Sequence, residues 1–272
     1  MEPSAKEYRK GLSKKESFLI SSLAREDKLI FTIEDAKKHV PENTKKVMHS
    51  LASKKWVLPL KRGLYAIVPM EIGVNGADSF VMHSFVIASY LVEPYYIGFW
   101  SALNHHGLTE QIPRTTFIAT IRARKPLYIL NSEYHFVRLE KKKFFGTEEE
   151  QIEGRAVTIS TKEKTLADCL DRPEHSGGIE EVARGIYFNK EEVEIEKVFE
   201  CGRKMGNTTI LKRLGYILEK IGLMENFREL VKGFRPSKGF TVLDPLSPRK
   251  GTYNSRWGLL VNFDLKPEGW MY

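Results

Sequence analysis

The apolar positions of the first seventy residues change period twice, and each change marks an element. Phe18, Leu19, Ser22 and Leu23 recur at helical spacing and predict a helix over 13–27 with one buried face. Ser13 and Glu16 stand three apart at its start. That spacing lets a hydroxyl and a carboxylate each satisfy a backbone N–H that the first turn leaves free. Leu29-Ile30-Phe31 is a short apolar step. Thr32 and Asp35 repeat the capping spacing and open a second short helix, which Pro41 separates from the next because proline has no N–H to give. Val47, Met48 and Leu51 line a third helix over 43–54. Steps of 100° put Lys45, His49, Ala52 and Ser53 on its opposite face, with Lys46 at the flank. Two β-like runs follow, 56–60 and 64–68, joined by Lys61-Arg62-Gly63, where glycine accommodates the positive φ of a tight turn.

Helix, short strand, helix, helix, hairpin is the order of a winged helix-turn-helix, expected over residues 1–70. A helix ~12 Å across fits a major groove ~12 Å wide, and its exposed face carries the readout. A basic hairpin tip is placed to meet a phosphate or the adjacent minor groove. Thr44, Lys45, Lys46, His49, Ser53, Lys61 and Arg62 are the candidate DNA-contacting residues.

Residues 70–78, with Gly73, Asn75 and Gly76, read as a linker to a second domain over 78–272. That domain patterns as α+β, mixed at first and helical in its later half. A mostly apolar helix is expected over 79–91 and another over 98–106, stopped by Gly107. Strands are expected at 116–121, 127–130, 134–139 and 155–159. The opposite charge blocks Lys141-Lys142-Lys143 and Glu148-Glu149-Glu150 read as a solvated connection. Ser160 and Glu163 repeat the capping spacing before a helix whose apolar stripe is Leu166, Cys169 and Leu170. Further helices are expected at 177–188, 191–205, 208–221 and 225–231. Strands return at 239–243 and 256–262, before a loosely packed tail over 265–272.

Charge sharpens this division. The chain has 272 residues, 42% apolar and 29% charged, which excludes a mainly disordered chain. Its formal net charge is +8, from 43 Lys/Arg against 35 Asp/Glu. Residues 1–70 hold fifteen Lys/Arg against eight Asp/Glu, and the remainder is almost neutral. Between Glu42 and Arg62 there are six cations and one acid. The basic module therefore suits a polyanion, and the near-neutral remainder suits protein-level work instead.

Chemistry is sparse. Two cysteines are too few for a disulfide scaffold or a four-cysteine zinc site, and fit a reducing cytoplasm. The polar N-terminus is no signal peptide, and the longest mostly apolar stretch, 80–90, is far short of the ~20 residues of a membrane span. A cytoplasmic location is expected. Asp168, Cys169, Asp171 and His175 do not form a recognised ligand spacing, and His105-His106 cannot point the same way from one helix. One of that pair is expected to cap its helix near Gly107. No phosphate-cradling glycine loop, H-E-x-x-H or nucleophile elbow occurs. No catalytic residue, metal ligand or cofactor is expected, and no enzyme activity. Two other readings remain open on the residues alone: a nucleic-acid-processing enzyme built on Asp168 and Asp171, and a winged helix that docks a protein.

The segments YYIGFWSALNHHGLTEQIP, RKPLYILNSEYHFVRLEKKKFFG and EKTLADCLDRPEHSGGIEEV resemble the AbiEi family, the antitoxins of abortive-infection type IV toxin–antitoxin systems. The likeness extends over about 13–262, taking in IFTIEDAKKH, LASKKWVLPLKRGLYAIVP, GNTTILKRLGYILEKIG and RWGLLVNF. It implies a transcriptional repressor whose N-terminal domain binds double-stranded DNA at inverted repeats in the promoter of its own operon. It implies that the C-terminal domain counters a cognate nucleotidyltransferase-like toxin without a lasting direct complex. Through the matching third helix and hairpin, it carries DNA contact to Lys45, Lys46, His49, Lys61 and Arg62.

Overall fold

The structure, a computed structural model, describes residues 9–70, 72 and 80–270. The fold is mixed α+β. Apart from Met70 and Ile72, the expected linker lies outside the described residues, as do residues 1–8 and 271–272. The chain divides into two compact units, Met1–His83 with Tyr128–Asn131, and Ser84–Leu127 with Ser132–Tyr272.

The first unit runs α1 (Lys14–Arg25), β1 (Ile30–Thr32), α2 (Ile33–His39), α3 (Thr44–Ser53), β2 (Val57–Lys61) and β3 (Leu64–Ile67). The strands form one antiparallel sheet in the order β1-β3-β2, with Phe31 opposite Tyr65 and Leu58 opposite Ala66. Pro59 is tolerated because β2 is an edge strand. Both capping boxes form as the sequence predicts, Ser13 with Glu16 and Thr32 with Asp35. Leu19, Leu23, Phe31, Ala36, Met48 and Leu51 meet in one apolar core. Phe18 was expected among them but is 58% exposed. The buried arc of α1 is centred on Glu16, Leu19, Ser22 and Leu23, and Phe18 lies one 100° step off it.

Glu16 does more than cap. Its carboxylate also accepts from Lys54 Nζ at 2.6 Å, tying the start of α1 to the end of α3. Burial pushes its pKa up, but the hydrogen bonds from Lys54, Ser50 and Ser13 outweigh that and hold it at about 2, below the ordinary 4.5. A depressed carboxylate stabilises the fold above pH 4.5 and loses that contribution as pH falls towards 2. Glu16→Gln is therefore expected to cost about 2–3 kcal/mol at neutral pH and to flatten the acid limb of stability. Urea unfolding between pH 7 and pH 3 checks this, and equal slopes for the two proteins would contradict it.

The second unit opens with α4 (Ser84–Ser89), β4 (Tyr95–Ile97), α5 (Phe99–His105), β5 (Thr115–Thr120) and, after β6 (Leu127–Ile129), which straddles the division, β7 (Ser132–Arg138). Then come β8 (Thr147–Ile152), β9 (Arg155–Ser160), α6 (Lys162–Asp171), α7 (Ile179–Phe188), α8 (Ile195–Met205) and α9 (Thr208–Lys220). The sheet order of its own strands is β7-β5-β4-β9-β8. β5 pairs in parallel with β7, and β4 in parallel with β9. The Glu148–Glu150 block is not a free connection. It lies in edge strand β8, paired with β9, where exposed charge blunts an edge that would otherwise recruit another strand. Ser160 is the buried last residue of β9, so the cap of α6 passes to Thr161. The helix expected at 225–231 is a 3-10 turn over Met224–Phe227.

A small second sheet closes the unit: β10 (Thr241–Val242), β11 (Thr252–Asn254) and β12 (Leu259–Val261), in the order β10-β12-β11. α9 holds it in place. Lys212 Nζ donates to the carbonyls of Ser237, Gly239 and Gly258, and Arg213 to those of Leu170, Asp171 and Val242. Gly215 admits the ring of Trp257, which a Cβ there would meet at 2.1 Å. The expected loose tail is instead anchored by Leu265 and Trp270, both buried, with Trp270 Nε1 donating to Glu180. Two large apolar side chains give that segment enough burial to offset its ordering.

Candidate nucleic-acid interface

The position of α3 follows from its burial pattern. Val47, Met48 and Leu51 face the core, and Lys45, Lys46, His49 and Ser53 are exposed. Among the described residues, no hydrogen bond or ion pair engages the side chains of Lys45, Lys46 or His49. Asn43 sits at the helix start in the left-handed region, with φ 58°, and makes no side-chain cap. The β2–β3 turn carries Arg62 exposed beside Gly63, whose φ is 80°. Lys61 is half-buried at the end of β2.

Two of the seven predicted residues are spent locally. Thr44 is buried, and its hydroxyl donates to Val40 O at 2.6 Å. Its position in the first turn, one step from Val47 and Met48, turns it inward. Ser53 is exposed, but its hydroxyl donates back to Ser50 O at 2.8 Å. Lys54, one of the six cations between Glu42 and Arg62, is held by Glu16. Lys45, Lys46 and Arg62 are the exposed cations of that stretch.

Trp56 Nε1 donates to Lys10 O, Arg9 donates to Val68 O and Pro69 O, and the Arg9 guanidinium lies over the Trp56 ring at 5.1 Å. These contacts pin the segment before α1 and were not legible from periodicity.

Asp168, Asp171, Cys169 and His175 all lie in the second unit. Asp168 is fully buried and accepts from Lys164 Nζ and from Tyr96 OH, the latter at 2.7 Å. Lys164 also donates to Tyr96 OH at 2.9 Å. Burial pushes the Asp168 carboxyl above its ordinary range, and the Lys164 ammonium pulls it back. Asp171 accepts from Lys143 Nζ at 2.6 Å and Asn207 Nδ2 at 2.5 Å. Lys143, expected in a solvated run, is thus buried and committed. Cys169 faces the core, and burial pushes its thiol well up, which suits packing rather than nucleophilic attack. His175 packs against Phe99, Phe117 and His135 rings. Burial, then His135 and Arg172, lower its pKa to about 4, so it is neutral at physiological pH. No group of three or more His, Cys, Asp or Glu able to hold a metal occurs among the described residues.

His105 and His106 diverge as the helix geometry requires. His105 pairs with Glu150 at 2.9 Å, and His106 Nε2 lies 2.7 Å from Ser160 O. His106 is the C-cap residue of α5, as expected, through its backbone N–H to Ala102 O, while both rings bond to other elements. A cleft of about 630 Å3 is lined by Thr109, Gln111, Glu181, Arg184, Phe188 and Trp270. Its Glu181 carboxylate is occupied by Thr109 Oγ1 and Gln111 Nε2. No described helix is long and apolar enough to cross a membrane.

No protein-family model matches the chain, and no curated protein matches it. Among solved structures, the crystal structure of the RV2827C protein from Mycobacterium tuberculosis is similar. It superposes with a TM-score of 0.68 over 93% of this chain and 94% of that one, at 15% sequence identity. At that identity the likeness speaks for the fold.

Proposed function

We propose that the first unit is a winged helix-turn-helix that binds double-stranded DNA, and that the chain is a repressor of the antitoxin type. The observation that carries this reading is the split face of α3. Buried Val47, Met48 and Leu51 seat the helix, while Lys45, Lys46 and His49 are exposed, as is Arg62 in the β2–β3 turn. α3 is the recognition helix, β2 and β3 are the wing, and Lys45, Lys46, Lys61 and Arg62 meet phosphates. His49 is the side chain best placed for a base edge. Thr44 contributes no side-chain contact, because its hydroxyl is already used.

The AbiEi resemblance supports the rest: inverted repeats in its own promoter as the target, and a nucleotidyltransferase-like toxin as the protein countered by the second unit. Asp168 and Asp171, on which an enzyme reading would rest, are each paired with an internal lysine.

Neutralising about five phosphates gives an expected slope of log K against log[salt] near −4.5 for promoter duplex. Fluorescence anisotropy at several salt concentrations measures it. A salt-independent affinity, or none, would return the module to protein docking.

A further inference from the structure

The near-neutral charge of the second unit hides an internal division. Residues 201–256 hold twelve Lys/Arg against four Asp/Glu. Within that stretch lies the small sheet β10-β12-β11, and its two faces differ sharply. Leu243 and Leu259 point into the core and are fully buried. Alternation along the strands sends Phe240, Val242, Leu260 and Tyr253 to the other face, with Tyr253 opposite Leu260 and Val242 beside it. Phe240 is 50% and Tyr253 68% exposed, and their rings touch with centroids 4.7 Å apart. Two large aromatic rings packed on each other in solvent form a platform, which an ordinary surface does not maintain.

Cations flank the platform at both ends. Arg235 and Lys238 precede Phe240, and Arg249 and Lys250 precede β11, whose antiparallel course brings its start to the opposite end. All four are exposed, and none has a carboxylate partner among the described residues. The nearby cations that are paired, Arg228, Lys232 and Arg256, lie with Glu225, Glu229 and Glu219. Asp264, the other carboxylate beside β11, lies 3.6 Å from Lys266. The sheet is rigidly held from behind by Lys212, Arg213 and Trp257.

We infer that this outer sheet face binds single-stranded RNA, with bases stacked on Phe240 and Tyr253 and phosphates met by Arg235, Lys238, Arg249 and Lys250. Stacking needs bases that are not already paired, so a duplex is excluded from the platform. The exposed hydroxyl of Ser255, two residues beyond Tyr253, can pair with a ribose 2′-hydroxyl, which selects RNA over DNA. This site is independent of α3.

The test uses the full chain and a labelled oligouridylate of about 10 nucleotides. Phe240→Ala with Tyr253→Ala is expected to weaken binding roughly 30-fold or more, from the loss of two stacked bases. Phe240→Leu with Tyr253→Leu keeps the apolar area but removes the π-faces, and the same loss is expected. Arg249→Glu with Lys250→Glu should weaken binding and flatten its salt dependence. Binding of promoter duplex should survive in all three, and urea unfolding like that of the parent shows that the variants fold. Conversely, Lys45→Glu with Arg62→Glu should leave oligouridylate binding intact. Absence of oligouridylate binding, wild-type binding by the leucine pair, or equal affinity for oligothymidylate would each overturn the inference.

Discussion

Reversing two charges, Lys45→Glu on α3 and Arg62→Glu at the hairpin tip, is expected to weaken promoter-duplex binding by roughly 100-fold or more. Both side chains are exposed and hold up nothing inside the unit, so the fold should be unaffected. The effect has two parts. Two counterion-releasing contacts are lost, which should make the salt slope shallower by about 1.8. Two new carboxylates also face phosphates, and that repulsion is strongest at low salt. The combined variant should therefore look worst at low salt and least impaired at high salt. His49→Ala separates readout from charge: it should lower discrimination between promoter and unrelated duplex while leaving the salt slope unchanged. Gel shift and anisotropy over a salt series check both. Binding that is unchanged in the charge-reversal protein would end the assignment of α3 and the hairpin as a DNA surface.

The legible parts of this fold are those governed by local rules. Ser13–Glu16 and Thr32–Asp35 are caps because hydroxyl and carboxylate lie within one turn, and both form. The 100° placement on α3 separates its exposed from its buried positions and puts Thr44 with Val47, Met48 and Leu51, so naming Thr44 as a DNA contact ran against that placement. What was not legible depends on partners far along the chain. Phe18 looked like core because period alone does not say where the buried arc is centred. Glu148-Glu149-Glu150 looked like solvated connection because an edge strand need not alternate when one side faces water. Lys143 looked like part of a basic run because Asp171 is 28 residues away. The Phe240–Tyr253 platform was hidden by averaging charge over two hundred residues, and counting in shorter windows would have exposed the excess between 201 and 256.

The largest effect on stability is expected at Asp168. Asp168→Asn removes the anion that holds Lys164 in a site where both side chains have no exposure at all. An ammonium left there keeps only neutral partners, Tyr96 OH and the new amide oxygen, together with the faces of the Tyr96 and Phe145 rings, 5.2 Å from Nζ. Breaking one side of a buried pair costs about 3–5 kcal/mol, because the survivor is charged, desolvated and unmatched. Lys164→Met alone should cost a similar amount, leaving a carboxylate supported only by Tyr96 OH. The double variant Lys164→Met with Asp168→Leu tells a structural pair from a functional one. Desolvation of both charges is then avoided, and stability should return to within about 1–2 kcal/mol of the parent or exceed it. Tyr96→Phe, which removes a hydroxyl bridging the two, should cost less than either single change, about 1–3 kcal/mol. Urea denaturation of the four variants measures the coupling, and promoter binding by the first unit serves as the internal control. Single and double variants of equal instability would mean that the two charges do not compensate one another, and the pair would have to be kept for a task other than holding α6 to β4.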